Sequence, residues 1–386
     1  MTDETTRGNE NSQNSVDNPV QVPLEPPSTL VKRAIATLDP GYFAMVMGSG
    51  IVSVAASLVG LTFISTIVLM VTIVAFVILL LAYISRIIWF RQYFIQSLRE
   101  PNIAMGYFTL VAGSNVLGVR MLMAGQRLIT LILAIFAGII WLILTYGLPS
   151  FIVSGARRPI FREINGTWLI WVVATQSVAI SASGLALAEK NEILAKVLPI
   201  IAVFCWGVGV MLYLILIVMI FFRLLLVEVT PKEMGPAYWI AMGATAISAR
   251  AAAGILVLKG AFATVIVSDL RPFLIGLSVV LWAFGTWWIP LLILFGIWRY
   301  IVKRYSSSYE PRLWSVVFPL GMYAVASFTL GKATKLDFMV SISRVWFWVG
   351  ATAWLLVLIL MGYAAWKIFT KERRKDPSFR AGMDRR

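Results

Sequence analysis

The chain has 386 residues and a formal net charge of +15; 60% of its residues are apolar and 13% are charged. Soluble domains are roughly 45–50% apolar and about 25% charged, so this composition excludes an ordinary soluble domain. The absence of histidine and the single cysteine, Cys205, exclude imidazole catalysis, histidine-ligated metal sites and an internal disulfide.

The first segment, residues 1–36, is polar and rich in Asn, Ser, Thr and Pro. This composition is typical of disorder, and no apolar segment follows a basic start as it would in a signal peptide. We predict a disordered cytoplasmic arm over 1–36, a ten-helix transmembrane domain over 37–370 and a basic cytoplasmic tail over 371–386.

Ten apolar stretches lie between the two tails, and each is long enough for a spanning helix, which needs roughly 20 apolar residues. They cover approximately residues 40–60, 64–90, 105–124, 127–150, 166–187, 194–226, 237–258, 272–302, 313–331 and 344–369. If the N-terminus is cytoplasmic, 23 of the 33 Lys and Arg residues lie on the cytoplasmic side. The positive-inside rule therefore predicts a multi-pass cell-membrane protein with both termini in the cytoplasm. It also explains the basic charge without nucleic acid, for which no basic groove with interleaved aromatics is present.

The stretches alternate in composition along the chain. The even ones are dominated by Leu, Ile, Val, Trp and Phe, whereas the odd ones carry the small and polar residues. Each odd stretch also begins with an aromatic residue shortly after a Gly or Pro, as in Gly41-Tyr42-Phe43. We interpret this as five parallel helical hairpins, with the odd helices inside around a central path and the even helices facing lipid. Tight packing of small residues without a pore is the alternative.

The small and polar residues of the odd stretches are the candidate lining of that path. They are Gly48, Ser49, Gly50, Gly113, Ser114, Asn115, Thr175, Gln176, Gly243 and Gly321.

Two arginines, Arg120 and Arg250, lie within predicted spans, whereas no Asp or Glu lies in a span core. At 1.5 Å per residue they lie roughly 22 Å and 20 Å from the starts of their helices, hence at a similar depth. An unpaired charge at mid-bilayer costs between about 2.5 and 17 kcal/mol, so both are predicted to face a hydrated path and attract anions. Snorkelling to the interface is the alternative. The missing intramembrane carboxylates and imidazoles favour passive conduction over proton coupling.

The ninth stretch contains Pro319, which kinks a helix because it lacks a backbone donor. The kink can aim the neighbouring Phe318 into the path, where an apolar ring blocks water and ions. A core aromatic that simply packs beside a kink is the alternative.

Three segments resemble the tellurite-resistance/dicarboxylate transporter family, which includes bacterial tellurite-resistance protein A, fungal malate permeases and plant slow anion channels. They are DPGYFAMVMGSGIVS at 39–53, NGTWL at 165–169 continuing to Gln176, and WSVVFPLGMY at 314–323. The resemblance implies an all-α integral membrane fold, with ten helices in five hairpins and quasi-fivefold symmetry around a central pore, assembled as a homotrimer. It also implies a gating phenylalanine on the ninth helix, assigned to Phe318 beside Pro319, with Phe328 as the alternative.

The leading hypothesis is a passive anion channel or uniporter for small organic anions such as malate-like C4-dicarboxylates. An efflux carrier for sulfite, tellurite or other inorganic oxyanions is the alternative, because the family spans both solute classes. An integral-membrane lipid-modifying enzyme is disfavoured, since Glu163, Glu228 and Glu233 are scattered in basic loops rather than clustered. We therefore predict no catalytic residue, cofactor or metal site, and small anions and the lipid bilayer as partners.

Overall fold

The computed structural model describes residues 27, 29–155, 160–189, 191–258, 261–306 and 308–373. Within these residues, ten helices are long and apolar enough to span a membrane, which confirms the predicted all-α architecture. Numbered α1 to α10, they are Ala44–Leu58, Thr62–Trp89, Phe108–Met123, Arg127–Gly155, Ile170–Ala188, Glu192–Leu226, Ile240–Leu256, Ala261–Ile297, Trp314–Thr334 and Asp337–Arg373.

Two even helices begin well before their predicted starts at residues 272 and 344. Helix α10 begins at Asp337, whose carboxylate lies in the first turn, where a negative charge favours a helix. Apolar stretches mark the membrane crossing and not the ends of a helix, because polar first turns continue the helix into the interface.

A short 3-10 turn precedes each odd helix. The five turns are Pro40–Phe43, Met105–Tyr107, Gly166–Leu169, Pro236–Trp239 and Pro311–Leu313. Two of them are capped by side chains: Asp39 accepts from the backbone N–H of Gly41 at 2.7 Å, and Asn165 accepts from that of Thr167 at 2.9 Å. The similar sequences at the odd starts thus fold alike.

The odd helices form a closed inner ring. Each of them packs against the next odd helix, and α9 packs against α1, while each even helix packs on the odd helix before it. Of the odd spans, 72–89% is buried, against 22–39% of the even spans. The predicted arrangement of odd helices inside and even helices outside is confirmed, and the ring is consistent with quasi-fivefold symmetry.

Glycines allow the ring helices to approach closely. A Cβ added to Gly243 would lie 2.8 Å from Cγ of Pro319 on α9, and one added to Gly321 would lie 2.7 Å from Cγ2 of Ile51 on α1. Added Cβ atoms on the other three glycines predicted as lining would also meet neighbouring side chains, namely Val317 and Trp314 for Gly48, Val116 for Gly50, and Phe43 and Val46 for Gly113. These five glycines therefore stand at helix–helix contacts, and small-residue packing explains them better than a lining role.

Buried arginines tie the hairpins together at the end of the ring where the odd helices begin, which we call the near end. Arg86 and Arg223 lie in the last turns of α2 and α6, and Arg299 lies in the π-helical turn Trp298–Val302 that follows α8; they are 5%, 2% and 2% exposed. Each donates both to the segment that precedes its own hairpin and to the start of the next hairpin. The acceptors are Leu38 O and Tyr107 Oη for Arg86, Arg162 O and Tyr238 Oη for Arg223, and Met234 O and Glu310 Oε1 for Arg299. We call these three contacts the arginine clasps.

The segment before α1 is partly helical. Residues Leu30–Ala36 form a helix capped by Thr29, and Ala36 is buried, its carbonyl accepting from Nε of Arg86 at 3.2 Å. The predicted boundary of the arm at residue 36 coincides with the end of this helix. Residues 1–26 and most of the predicted tail, 374–386, lie outside the described residues.

Candidate functional site

Two cavities lie within the ring, one behind the other. The first, which we call the near cavity, is lined at the starts of the odd hairpins and has a volume of ≈ 20 Å³, about the room that one water molecule needs. Its polar lining is Asp39, Asn102, Thr109, Thr167, Arg312 and Ser315. All five hairpins contribute to it.

The second cavity, which we call the far cavity, lies deeper along the ring and has the same volume, ≈ 20 Å³. Every odd helix contributes at least two lining residues. Three of these residues are polar or charged: Asn115 on α3, Ser177 on α5 and Arg250 on α7. The remaining wall is apolar and consists of Ile51, Val54, Val116, Val119, Ile180, Ile247, Met322 and Val325.

Phe318 lies between these cavities on α9. Ser315 lines the near cavity and Met322 lines the far one. Phe318 is three residues after the former and four before the latter, so all three share one helix face. Its side chain is 1% exposed. Phe318 thus lies along α9 between the residues that line the two cavities, and it packs in the hydrophobic core without lining either one.

Pro319 and Phe328 lie at different places along α9. Pro319 packs against α7 at Gly243, where the missing side chain leaves room for the proline ring. Phe328, the alternative gate, lies beyond Val325 toward the other end of the ring, the far end, and is partly exposed beneath the ammonium group of Lys332 at 6.0 Å. Phe328 therefore lies beyond the α9 residues that line the far cavity, whereas Phe318 lies between those that line the two cavities.

Arg250 enters the far cavity without a partner. No carboxylate of a described residue lies within 4.0 Å of its guanidinium, and it makes no hydrogen bond to another residue that the structure describes. Gly254 makes room for this side chain, since an added Cβ there would lie 3.1 Å from Nη1 of Arg250 and 2.6 Å from Oγ of Ser183. Arg250 is thus a partly buried cation that lines the far cavity and that no carboxylate of a described residue neutralises.

Arg120 lies elsewhere, although it is predicted at the same depth. Its Nε donates to Oγ of Ser53 at 3.0 Å and to Oγ of Ser65 at 3.1 Å, between α1 and α2. The two serines also bond each other's carbonyls, each at 2.7 Å. Arg120 is 6% exposed and is not part of the far-cavity wall. The structure therefore does not bring the two predicted anion-attracting arginines together.

Of the predicted polar lining, Asn115 is the residue found at the far cavity. Its Nδ2 donates to Oγ of Ser177 at 2.9 Å, while its Oδ1 is buried without a partner among the described residues. The other predicted polar residues bond elsewhere: Ser49 accepts from Trp354, Thr175 accepts from Trp141, Gln176 donates to the carbonyl of Trp206, and Ser114 donates to the carbonyl of Leu110. Three of the four thus pair with an even helix and not with the path.

Ser177 is the polar residue of the far cavity that sequence reasoning missed, and the polar residues of the near cavity were missed as well. Ser177 precedes Ile180 by three residues, and both line the far cavity, as helical spacing requires for one face. Its hydroxyl donates to the carbonyl of Ala174 at 2.6 Å, which leaves its oxygen to accept from Asn115. Composition does not distinguish Ser177 from Thr175 and Gln176. The three-residue spacing between Ser177 and Ile180 is the sequence signal that places both on one helix face.

Comparison with known proteins places these observations in a family. The SLAC1 family model, described as voltage-dependent anion channel, matches residues 37–361. An uncharacterized membrane protein of Mycobacterium tuberculosis is 44% identical over 139 residues, which is 36% of this chain and 69% of that protein. An uncharacterized transporter of Methanocaldococcus jannaschii is 26% identical over 84% of this chain and 92% of its own length. A sulfite efflux pump of Arthroderma otae is 23% identical over 88% of this chain and 93% of its own length.

Proposed function

Because the chain belongs to the voltage-dependent anion channel family, we propose that it is a passive channel or uniporter that carries small anions through the ring of odd helices. The observation that supports this proposal is the pair of cavities lined by all five hairpins, with Phe318 on α9 between the residues that line them. The path would run from the near cavity past Phe318 to the far cavity. Conduction needs no catalytic residue, and the proposal assigns none.

The gate in this proposal is Phe318, and the conformation described is closed. Its ring is buried between the cavities, where an apolar barrier excludes water and hydrated ions. Pro319 removes one backbone hydrogen bond from α9 next to it, so the helix can bend at this point at little cost. Gly243 gives the proline ring its room and thereby positions the gate.

The cation that attracts anions in this proposal is Arg250, which has no partner in the far cavity. Arg120 does not attract anions in this proposal, because Ser53 and Ser65 bond its guanidinium outside the cavity. The path offers a carboxylate, Asp39, in the near cavity, and none among the described residues of the far-cavity wall. This pattern supports passive movement over proton coupling.

Two solute classes compete within the proposal. Malate-like C4-dicarboxylates are the first, from the sequence resemblance. Sulfite and other inorganic oxyanions are the second, and the sulfite efflux pump of Arthroderma otae that aligns with 88% of this chain favours them. Side-by-side flux of malate, sulfite, nitrate and chloride in proteoliposomes decides between the classes.

The proposal places the protein in the cell membrane with its near end in the cytoplasm, because most basic residues lie at that end. Homotrimer formation stays a prediction from the family resemblance. The even helices present apolar side chains such as Ile78, Leu142 and Ile215 outward, and these suit lipid and a neighbouring copy equally.

The decisive experiment is Phe318→Ala in reconstituted vesicles. Removing the ring should join the cavities and raise anion flux by about tenfold or more, which corresponds to a barrier lowered by about 1.4 kcal/mol. Phe328→Ala is the matched control and should leave the flux near the wild-type level. If Phe318→Ala folds and conducts no more than wild type, Phe318 is not the gate. If neither protein conducts any anion, the proposed function fails.

A further inference from the structure

We infer that the near end of the first hairpin binds an anionic phospholipid, with the headgroup phosphate on exposed basic side chains and the acyl chains along α2. The surface consists of the helix Leu30–Ala36, the end of α2, and the helix Arg91–Leu98 with the following residue Arg99. We call it the hairpin-1 platform. It lies at the surface of the ring and does not depend on conduction through the centre.

Arg86 holds the parts of the platform together. Its side chain is 5% exposed, and it donates to the carbonyls of Ala36 at 3.2 Å and Leu38 at 2.7 Å. It also donates to the carbonyl of Tyr93 at 3.2 Å. The helix Leu30–Ala36 packs against α2. One buried guanidinium thus fixes both short helices at the end of α2, so the side chains that they expose belong to one surface.

The short helix that follows α2 has a packed side and an exposed side. On the packed side, the ring of Phe94 meets the ring of Tyr107 edge-on, with 5.5 Å between the centroids. The exposed residues Arg91, Ile95 and Arg99 are spaced four apart, which places them on one face. Basic and apolar side chains on one exposed helix are typical of a helix that lies in the headgroup region of a bilayer.

The charge of the platform is strongly positive. Its exposed cations are Lys32, Arg33, Arg91 and Arg99. None of the four forms an ion pair with a residue that the structure describes, and the exposed carboxylate next to them is Glu100. Each Lys or Arg near an anionic membrane surface strengthens the attraction about fivefold. The near end of the third hairpin differs, because Lys232 is exposed there together with Glu228 and Glu233.

The apolar side of α2 determines which anion suits the platform. Leu81, Ile84 and Ile88 are 59%, 45% and 63% exposed, and their spacing of three and four places them on one helix face. Trp89, 71% exposed, ends the helix, and indole rings are enriched at the level of lipid headgroups. Free phosphate or an acidic soluble protein would match the cations and leave the apolar residues uncovered. A phospholipid covers both.

A second copy of this chain suits the platform less well. If two copies met through their platforms, each would bring the same four exposed cations to the contact, and like charges placed together across an interface cost several kcal/mol. An anionic phospholipid brings the opposite charge instead.

The test compares phosphatidylglycerol with phosphatidylcholine, which carry the same fluorescent acyl chains and differ in net charge. Each is titrated into the purified full-length protein in a neutral detergent, and fluorescence anisotropy measures binding. At low salt we expect phosphatidylglycerol to bind at least about 25-fold more tightly than phosphatidylcholine. The preference should nearly vanish at about 1 M salt, where the Debye length falls to about 3 Å.

Exposed variants assign the site to the platform. Arg91→Gln combined with Arg99→Gln removes two charges and should weaken phosphatidylglycerol binding about 25-fold, with phosphatidylcholine binding unchanged. Arg91→Lys combined with Arg99→Lys keeps the charge and should bind within about twofold of wild type. Lys232→Gln, at the near end of the third hairpin, is the matched control and should change the affinity by less than about twofold. Trp89→Ala should weaken both lipids alike.

Equal affinity of wild type for the two lipids would overturn the inference, and so would unchanged phosphatidylglycerol binding in the double Gln variant. A double Gln variant that binds lipid normally and changes oligomeric mass in light scattering would assign the platform to a neighbouring copy instead. Flux through Phe318→Ala tests the proposed function separately. Lipid preference without flux refutes the channel and leaves the platform, whereas flux without lipid preference refutes the platform alone.

Discussion

The surroundings of Arg120 and Arg250 differ, although the two residues are of the same type, lie on odd helices and have the same predicted depth. Two serine hydroxyls bond Arg120 between α1 and α2. Arg250 lies in the far cavity, where the described residues offer it no partner. The comparison teaches that an intramembrane charge does not define a functional residue by itself. Its neighbours on other helices decide whether it stabilises the fold or stays available to a solute.

The largest expected effect concerns selectivity. In the Phe318→Ala background, Arg250→Gln should lower the permeability ratio of anions to cations by about tenfold or more, because a unit charge 4 Å from the solute contributes about 4 kcal/mol at an effective dielectric constant of 20. Arg120→Gln should change the ratio by less than about twofold, since hydroxyl groups bond that charge outside the cavity. Reversal potentials in asymmetric salt measure both. Equal shifts in the two variants would break the comparison.

Stability should respond in the opposite order. Arg120→Gln removes hydrogen bonds from a charged donor, which lowers the free energy of unfolding by about 1.5–3 kcal/mol. Arg250→Gln removes an unpaired charge that is partly buried, so stability should stay the same or rise. Thermal unfolding of the two variants in the same detergent measures the difference. A larger loss for Arg250→Gln would show that Arg250 has a structural partner.

A smaller effect is expected at the serine pair that bonds Arg120. Ser65→Ala removes one acceptor of Arg120 and one bond to the carbonyl of Ser53. It should lower the free energy of unfolding by about 0.5–1.5 kcal/mol and leave ion selectivity unchanged. Thr66→Ala is the matched control, because that hydroxyl bonds only its own helix at Thr62 on the exposed side. Selectivity that changes with Ser65→Ala would connect the serine pair to the path.

The smallest effect sets the arginine clasps apart from both intramembrane arginines, because Arg223 also donates to Oε1 of Glu233 at 3.1 Å, and this carboxylate titrates. The backbone N–H of Thr230, first among several causes, lowers the pKa of Glu233, and Arg223 adds to this. Glu233 therefore contributes stability above its unfolded pKa, and this contribution is lost as pH falls through its lower folded pKa. The side chain is 43% exposed, so the contribution is below about 1 kcal/mol.

The measurement is the unfolding midpoint of wild type and Glu233→Gln along an acid series. The midpoint difference between them should be present near neutral pH and vanish below the folded pKa. A difference that is independent of pH would mean that Glu233 acts by packing alone.

Much of the fold was predictable because the membrane leaves few choices. Backbone groups in lipid must be satisfied within a helix, so apolar length predicts the spans, and polarity predicts which helices lie inside. The site was less predictable. Asn115 and Arg250 line the far cavity and Phe318 lies on α9 between the residues that line the two cavities, whereas Gly243 and Gln176 line neither cavity. Small and polar residues serve packing, capping and lining alike, and composition does not separate these uses.

The sequence by itself determined ten spanning helices, their alternation between inside and outside, and the scarcity of charge in the membrane, because these depend on how single segments partition between water and lipid. The tertiary structure alone decided which arginine has partners, that three arginines near the ends of even helices are buried as clasps, and which residues of α9 line the two cavities. These features depend on which side chains meet across the five hairpins. Asn115 and Ser177, for example, are about 60 positions apart in the chain, and Nδ2 of Asn115 comes within 2.9 Å of Oγ of Ser177 only when the ring closes.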